Sequence, residues 1–557
     1  MNKKLIVLIT LFVGICTLAS FSISIGSRNV QFCSLYEDTV SISIRFNSYE
    51  EIINPYYCKR EDVYYYFLPS VLCGKEIYND LYGIELYMDD RKVSEYGKFE
   101  WTDGETYNMR YADTEIKVIF AASSDIPALF ISTDTGSMDQ LNADKLYSEC
   151  GNISVIEADG SISYHGGVSL RGRGNSTYRF DKKPFNMKLD DAAGILGMDI
   201  DRDWCLLANS WDYSYMNNKL AFDMASKAGF DYVPDAEYAD VYFNGDYWGI
   251  YLVTEKVEVD ENRIDITDLK EENERVNPGL DLSEAETFDS GSKRGVFLAN
   301  ISDDITGGYL LERDYRLRPS YAARVMTTSY FETADYGTSI NIKSPEYASE
   351  EEVEYISNLT NEMEQAIMSP TGYSQCGKYY LDYIDLDSWV KWYMVAEIAY
   401  DLDKDGTNTY FYKDIDTVDT KFHMGPVWDY DCRFGGTDSY SRADILTKLN
   451  GTGNWCYNLY EKPEFYEKIC EEWNSFFKGY LTEEAQENID LWQTLIRKSV
   501  SMDNIRWYRG GGPIKWPGAD NSDQFTDIYS FDEQVDHLRN WIRERCDFLD
   551  IYWGREE

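Results

Sequence analysis

Histidine is scarce in this chain, with three residues (His165, His423 and His537) among 557. A Ser-His-Asp triad and a histidine-rich metal site both need imidazole groups from several parts of a chain. The sequence therefore disfavours a hydrolase or a metal centre built on histidine. Chemistry built on carboxylates stays open, because Asp and Glu together number 98.

Positive charge is also in short supply. Lys and Arg number 53 against those 98 acids, which gives a formal net charge of -45 and a sequence pI near 4.4. Since like charges repel, we expect neither nucleic acid nor an anionic membrane surface as a partner. The acidity favours cations as ligands, although solubility outside the cell is the commoner reason for such an excess.

Long apolar runs are missing apart from residues 5–19, which follow Lys3 and Lys4. A short basic region before such a run predicts an export signal in residues 1–25, and hence an extracellular or cell-surface protein. The weakly apolar residues 20–25 leave both a cleaved signal peptide and a retained membrane anchor open. The 11 cysteines include no C-x-x-C pair, which argues against a structural zinc site and leaves disulfide pairing undefined.

The length suits roughly two to four domains at about 150 residues each. Alternating patterns predict a small β-module at 26–125, and further strands with one amphipathic helix at 216–227 occupy 126–266. Residues 267–306 form a polar, acidic insertion, interpreted as a flap over a site or as a solvated spacer. From 307 to 557 the pattern is helical, with helices predicted at 350–367, 386–400, 464–480 and 483–502.

Acidic residues cluster between 401 and 431, where the chain reads DLDKDGTNTYFYKDIDTVDTKFHMGPVWDYD. Asp403 and Asn408 have the D-x-x-x-x-N spacing of a protein kinase catalytic loop, in which the Asp is the base and the Asn binds a metal. Asp429 follows an apolar pair, which predicts a metal-binding Asp at the end of a buried strand. Oxygen ligands of this kind suit a divalent cation on phosphates. The alternative is a solvated, turn-rich loop.

A basic, glycine-rich turn lies upstream. GGVSLRGRGNST at 166–177 and KKPFNMKL at 182–189 predict a strand, a turn and a second strand. Backbone N–H groups of such a turn can approach an anion. In the second strand, alternation directs Phe185, Met187 and Leu189 toward the core and Lys188 to the opposite face. The alternative is a hairpin with an exposed basic face.

These motifs together resemble one family, the spore coat protein H (CotH) kinases, which are secreted or surface-held relatives of atypical protein kinases. The resemblance covers most of the chain. It is carried in order by LRGRGNSTYRFDKKPFNMKL at 170–189, DWCLLANSWDYSYMNNKLAFDMASKAG at 203–229, DVYFNGDYWGIYLVTEKVEVDENRIDI at 240–266, GGYLLERD at 307–314, the 403–408 loop and VWDYDCRFGG at 427–436.

The resemblance implies an α+β, bilobal, atypical protein-kinase-like fold. A β-rich small lobe at 126–266 and a helical large lobe at 307–557 would follow the β-module. It implies ATP and Mg²⁺ or Mn²⁺ as cofactors. Lys188 then looks like the lysine that pairs with the nucleotide phosphates, with Arg171 and Asn175 in the turn that covers them.

The same resemblance assigns the acidic loops. Asp403 looks like the catalytic base, and Asn408 and Asp429 look like the metal ligands, with Asp431 able to share or take over the metal. Two features depart from the kinase pattern: no His-Arg pair precedes Asp403, and residues 216–227 contain no Glu to pair with Lys188. Asp223 or Glu255 could substitute for that Glu, and spacing does not choose between them.

Three functions are compatible with the sequence. The first is an exported kinase that phosphorylates Ser or Thr hydroxyls of surface or secreted proteins. The second is a non-catalytic scaffold or pseudokinase of a cell-surface, spore-coat or carbohydrate-degrading assembly, and the third is carboxylate-based glycoside hydrolysis. The kinase hypothesis requires Lys188, Asp403, Asn408 and Asp429 to converge within about 10 Å, the span of metal-bridged phosphates and their lysine.

Overall fold

A computed structural model describes residues 30–36, 39–46, 49–315, 327–404, 406–436, 442–447, 454–507 and 530–554. The predicted export signal at 1–25 lies outside the described residues. The chain divides into two compact units, one formed by Met1–Leu68 with Leu72–Ala121 and the other by Pro69–Val71 with Ala122–Glu557.

Unit 1 consists of two β-sheets with strand orders β3-β2-β1-β6-β9 and β4-β5-β11-β10-β7-β8. Its strands are β1 Val30–Tyr36, β2 Thr39–Phe46, β3 Tyr49–Ile53, β4 Tyr56–Cys58, β5 Val63–Leu68, β6 Ile77–Asn79, β7 Leu86–Met88, β8 Arg91–Val93, β9 Lys98–Phe99, β10 Thr106–Tyr111 and β11 Thr114–Ala122. Exposed and buried residues alternate strictly along β10. This pattern is typical of an antiparallel sheet with one face on a core.

Unit 2 begins with a closed barrel, in the order β12-β13-β14-β15-β16-β18-β17. Its strands are β12 Ala128–Thr133, β13 Ser148–Ile156, β14 Ile162–Gly172, β15 Phe185–Ala193, β16 Asp201–Leu207, β17 Ala236–Phe243 and β18 Asp246–Glu255. Parallel pairing of β12 with β17 closes the barrel. The predicted strand, turn and strand at 166–189 are confirmed, and so is the alternation in β15: Phe185, Met187 and Leu189 are buried, and Lys188 is exposed.

A second sheet of unit 2 has the order β19-β20-β22-β23-β21-β24-β25. Its strands are β19 Thr287–Asp289, β20 Lys293–Val296, β21 Tyr309–Arg313, β22 Tyr330–Glu332, β23 Ser339–Ser344, β24 Thr409–Lys413 and β25 His423–Met424. The acidic insertion supplies two of these strands, and the Asn273 side chain within it is buried against Glu352 at 3.1 Å. The insertion is therefore folded, and its interpretation as a solvated spacer is wrong.

The helices of the described ranges are α1 Asp139–Ala143, α2 Asn217–Lys227, α3 Leu269–Val276, α4 Glu350–Met368, α5 Leu386–Ile398, α6 Trp455–Tyr460, α7 Pro463–Glu472, a π-helix Trp473–Phe477, α8 Lys478–Thr482, α9 Glu484–Trp507 and α10 Phe531–Trp553. Reciprocal side-chain caps at Ser349 and Ser530 start α4 and α10. The predicted α+β class is confirmed.

Within the described ranges, no helix has the length and apolar character needed to cross a membrane. Within the described residues, Cys33, Cys58, Cys150, Cys205, Cys376, Cys432 and Cys546 are free thiols.

Helix α9 packs against barrel strand β18 through buried charge. Lys182 Nζ lies 2.6 Å from Asp503 Oδ1, and both side chains are at most 1 % exposed. Asp503 also accepts hydrogen bonds from the Tyr215 hydroxyl at 2.7 Å and from the Ile250 N–H at 3.2 Å. Gly249 makes room for this carboxylate, since a Cβ there would lie 2.0 Å from Asp503 Oδ1.

Candidate active site

A cavity of about 580 Å³ lies between the ends of barrel strands β14 and β16 and the segments that precede β24 and follow β25. The barrel side contributes the turn 173–177 and the segment 207–211. The second sheet side contributes Asp403, Thr407, Asn408, Tyr410, Trp428, Asp429, Asp431, Cys432 and Arg433. The volume is in the range typical of small-molecule sites. Five residues predicted from the sequence line it: Asn175, Asp403, Asn408, Asp429 and Asp431.

Asp403 follows α5 and is held by a buried neighbour. The N–H of Asp403 donates to Asp401 Oδ1 at 2.9 Å. The Arg433 guanidinium bridges both acids, with Nε 2.7 Å from Asp401 Oδ1 and Nη2 2.8 Å from Asp403 Oδ2. Arg433 and Asp401 are mostly buried, whereas the Asp403 side chain is 52 % exposed and lines the cavity. Asp403 is therefore the more accessible of the two carboxylates, and Arg433 lines the cavity beside it.

Burial and charge act in opposite directions in this trio. Burial raises the pKa of Asp401, although the Arg433 guanidinium opposes the shift. Burial alone lowers the pKa of Arg433, but the carboxylates of Asp401 and Asp403 outweigh it and hold that pKa well above its usual range. Arg433 is therefore a permanent cation at the base of the cavity.

Lys404, which follows Asp403 in the chain, points away from the cavity into the protein. Its ammonium group donates to Thr447 Oγ1 at 2.6 Å, and the Thr447 N–H donates to Glu397 Oε1 at 2.6 Å. Arg545 of α10 completes the chain of contacts, with Nη2 2.9 Å from Glu397 Oε1 and both side chains fully buried. This network anchors the 403–408 loop from behind.

Asn408 and Asp429 meet on the floor of the cavity. Asn408 Nδ2 donates to Asp429 Oδ2 at 2.7 Å. Both backbones have left-handed φ angles, 57° and 68°, which are uncommon for residues other than glycine and cluster at functional sites. The prediction that Asp429 ends a buried strand is wrong. Strand β25 stops at Met424, because Pro426 has no N–H with which to continue a ladder.

The carboxylates of Asp429 and Asp431 form an acid pair with the character of a cation site. Burial, with the neighbouring Asp429 carboxylate, raises the pKa of Asp431 to about 7. Two carboxylates that repel each other next to an amide that can turn its oxygen inward form the hard donor set that Mg²⁺ and Mn²⁺ prefer. Asn408, Asp429 and Asp431 therefore fit the divalent cation that the sequence predicts.

Helix α2 fixes the segment that carries these acids. The Asn217 amide donates to the carbonyl oxygens of Asp431 at 3.1 Å and Arg433 at 2.9 Å. Asn218 Oδ1 accepts from the Tyr430 N–H at 2.7 Å. The motif NSWDYSYMNN thus serves to hold the acidic segment, a role that one sequence without its fold does not reveal.

Besides Arg433, three cations line the cavity: Lys145 and Arg173 before and after strands of the barrel, and Lys343 on β23 of the second sheet. The Arg173 guanidinium lies 5.1 Å from the centre of the Trp428 ring. Lys145 donates to Asn175 Oδ1 at 3.2 Å, and Lys343 lies 3.5 Å from Glu312. Lys145, in the turn after α1, and Lys343, on β23, were missed from the sequence because both lie outside the recognised motifs.

Lys188, Arg171 and Glu255 are not among the residues that line this cavity. Of the four residues whose convergence the kinase hypothesis required, Asp403, Asn408 and Asp429 share the cavity and Lys188 does not. Lys188 is half-exposed and lies 2.8 Å from Asp203, its direct partner on β16. The prediction that Asp223 or Glu255 pairs with Lys188 is therefore wrong. Asp223 accepts a hydrogen bond from the Tyr480 hydroxyl, and Glu255 pairs with Arg263 at 2.6 Å. The nucleotide-binding roles of Lys188, Arg171 and Glu255 stay predictions.

Asp201, Asp203 and Glu258 form a further acidic cluster, with oxygens within 4.8 Å of one another. Three cations already face it. Lys188 and Lys256 contact Asp203, Lys256 contacts Glu258 at 2.8 Å, and Arg263 lies 3.2 Å from Asp201. The balance of charge makes this cluster an ion-pair network of the barrel wall.

A family model described as CotH kinase protein matches residues 170–549. The chain belongs to the CotH kinase family. The match includes every residue that lines the cavity except Lys145, so family membership covers the site itself. A search of curated proteins finds no match.

CotH membership supports a kinase-like protein and, with it, ATP and a divalent metal as the ligands to test. Unit 1 lies before the matched region. The chemistry must therefore be sought in unit 2, where the cavity lies.

Proposed function

We propose that this protein is an exported, metal-dependent CotH kinase that transfers a phosphoryl group from ATP to Ser or Thr hydroxyls of surface or secreted proteins. The barrel would be the small lobe of a bilobal kinase-like fold, and the second sheet with its helices the large lobe. One observation carries the proposal: a single cavity is lined by the acids Asp403, Asp429 and Asp431, the amide Asn408 and the cations Lys145, Arg173, Lys343 and Arg433.

Each wall has a separate task in this proposal. Asp403, the exposed acid of its trio, accepts the proton of the attacking hydroxyl. Asn408, Asp429 and Asp431 would hold Mg²⁺ or Mn²⁺, which supplies neutralisation of the phosphate charge when bound. Phosphoryl transfer needs little covalent chemistry beyond this positioning. The residues present are sufficient for it.

The cations of the barrel side are proposed to bind the phosphates. Arg173 is best placed, because a planar guanidinium matches phosphate oxygens and lies over the Trp428 ring, 5.1 Å from its centre. Lys145 and Asn175 extend the same wall. Lys188 would take part only through a rearrangement that breaks its pair with Asp203.

Export and substrate rest on the sequence. The apolar run 5–19 supports export with or without a membrane anchor, and an exported kinase meets Ser/Thr-rich surface or secreted proteins as substrates. Cell fractionation of the full chain tests this point: recovery in the cytoplasm alone would contradict export.

Phosphate incorporation tests the activity. The purified protein is incubated with labelled ATP and Mn²⁺ or Mg²⁺, beside Asp403→Asn, Asp429→Asn and an Asp444→Asn control whose side chain is 68 % exposed in a surface ion pair. Labelling of the protein itself or of a Ser-rich acceptor should disappear in the first two variants and persist in the control. Absence of labelling by the wild type, with no metal-dependent thermal shift from ATP, would instead favour a scaffold or pseudokinase.

A further inference from the structure

Arg433 bridges the two acids at residues 401 and 403 beside the cavity. Its guanidinium spans the buried Asp401 and the exposed Asp403 with two different nitrogens, 2.7 Å and 2.8 Å from their oxygens. Asp401 also accepts the N–H of Asp403 at 2.9 Å. Asp401 therefore holds Asp403 in two ways. It accepts the backbone N–H of Asp403 directly, and it contacts Arg433, which pairs with the Asp403 side chain.

We propose that Arg433 is a positioning residue that orients the base Asp403 and locks it to the segment that carries the metal ligands; this inference rests on the proposed kinase function. Arg433 lies two residues after Asp431 on one chain segment. The Asn217 amide holds the carbonyl groups of both residues. A side chain from the metal segment thus sets the position of the base.

The geometry requires arginine rather than any cation. Arg433 Nη2 donates to Asp403 Oδ2, and Nε is in ion-pair contact with Asp401 Oδ1, so one planar guanidinium holds two carboxylates with two charged nitrogens at once. A lysine ammonium is a single point donor on a flexible stem, so it can neutralise the charge without fixing both acids. With one Asp403 oxygen held by Arg433, the carboxylate presents its other oxygen to a hydroxyl in the cavity.

The sequence departs from the kinase pattern at this point, since no arginine directly precedes Asp403. The structure places an arginine against Asp403 from residue 433 instead. A change at Arg433 should therefore impair transfer without impairing nucleotide binding, because the bridged carboxylate is not among the proposed phosphate or metal ligands.

Arg433→Lys and Asp401→Asn, alone and combined, test the proposal in the full chain. We expect Arg433→Lys to lower kcat about 10- to 100-fold, the usual effect of a displacement of about 1 Å in a catalytic group. The Mn²⁺-ATP Kd, measured by titration calorimetry, should stay within about 2-fold. Because both changes break one bridge, the double variant should be little slower than Arg433→Lys alone. Arg442→Met, which removes an exposed arginine paired with Asp444, is the matched control and should retain full activity.

Each result decides a distinct question. An active wild type with an Arg433→Lys variant of undiminished kcat overturns the positioning role and leaves the kinase proposal intact. Multiplicative losses in the double variant, or a weakening of Kd that matches the fall in kcat, overturn it as well, since both indicate general damage to the site. A wild type without transfer overturns the kinase proposal and this inference together.

Discussion

The buried pair of Lys182 and Asp503 allows a stability prediction with a built-in comparison. Lys182→Met leaves the Asp503 carboxylate in a fully buried position without its cation. Removal of one partner of a buried pair typically costs about 3–5 kcal/mol. Asp503 keeps hydrogen bonds from the Tyr215 hydroxyl and the Ile250 N–H, so we expect a loss near the lower end, about 3 kcal/mol.

Lys188→Met is the matched control, because it removes the same type of side chain from the same strand-and-turn region. Its pair with Asp203 has a similar length, 2.8 Å, but the two side chains are 50 % and 20 % exposed. Ion pairs that water reaches contribute about 0–1 kcal/mol. The two variants should therefore differ by about 2 kcal/mol or more, and burial is the main difference between them.

Urea unfolding followed by tryptophan fluorescence measures both. Trp101 is the one tryptophan in the sequence of unit 1, so the signal reports almost entirely on unit 2. Asp503→Asn combined with Lys182→Met should recover at least half of the lost free energy, since neither buried charge remains. Equal losses in Lys182→Met and Lys188→Met, or a double variant less stable than Lys182→Met, would refute the reasoning.

Three further outcomes are expected. Arg545→Met should lower the free energy of unfolding by about 3–5 kcal/mol in urea, because it strands the fully buried Glu397, and a loss below about 1 kcal/mol would contradict this. Arg173→Met should weaken Mn²⁺-ATP binding about 10-fold in calorimetry, the loss of one charge-assisted phosphate contact, whereas Lys188→Met should leave it within about 2-fold; the reverse order would restore Lys188 as the phosphate lysine. Burial raises the pKa of Asp240 from 3.8 to about 6, so the folded state binds more protons between these values and stability should fall by up to about 3 kcal/mol as pH rises from about 4 to 7. An Asp240→Asn variant with an unchanged pH slope of unfolding would rule out that assignment.

Local sequence patterns correctly predicted the features of the fold that depend on the periodicity of apolar residues and on the spacing of motifs. The alternation of β15 correctly separates Met187 and Leu189 from Lys188, because strand side chains alternate between faces. Periodicity also placed α2 and α4 close to their observed bounds. The order of motifs likewise selected Asp403, Asn408 and Asp429, which do share one cavity.

Which residues a side chain contacts in the folded protein depends on tertiary structure, and the sequence did not reveal these contacts. The register of β15 against β16 brings Asp203 to Lys188, and no spacing rule contains that register. Arg433 reaches Asp403 across 30 residues of chain, and Lys145 lines the cavity from the turn between α1 and β13. The acidic composition of residues 267–306 led to the wrong prediction of a solvated spacer. A few buried residues, such as Leu269 and Asn273, suffice to order a polar segment.

The parallel pairing of β12 with β17 has a consequence for how the chain can be cut. Ala128 meets Asp240 and Ile131 meets Phe243, so the barrel closes only when strands far apart in the sequence are both present. A fragment that ends before residue 236 leaves β12 and β16 as open edges with unpaired N–H and C=O groups, which recruit other chains. Such distant pairing is also slow to form, which prolongs the exposure during synthesis. A soluble fragment of unit 2 must therefore begin before residue 128 and continue past residue 255.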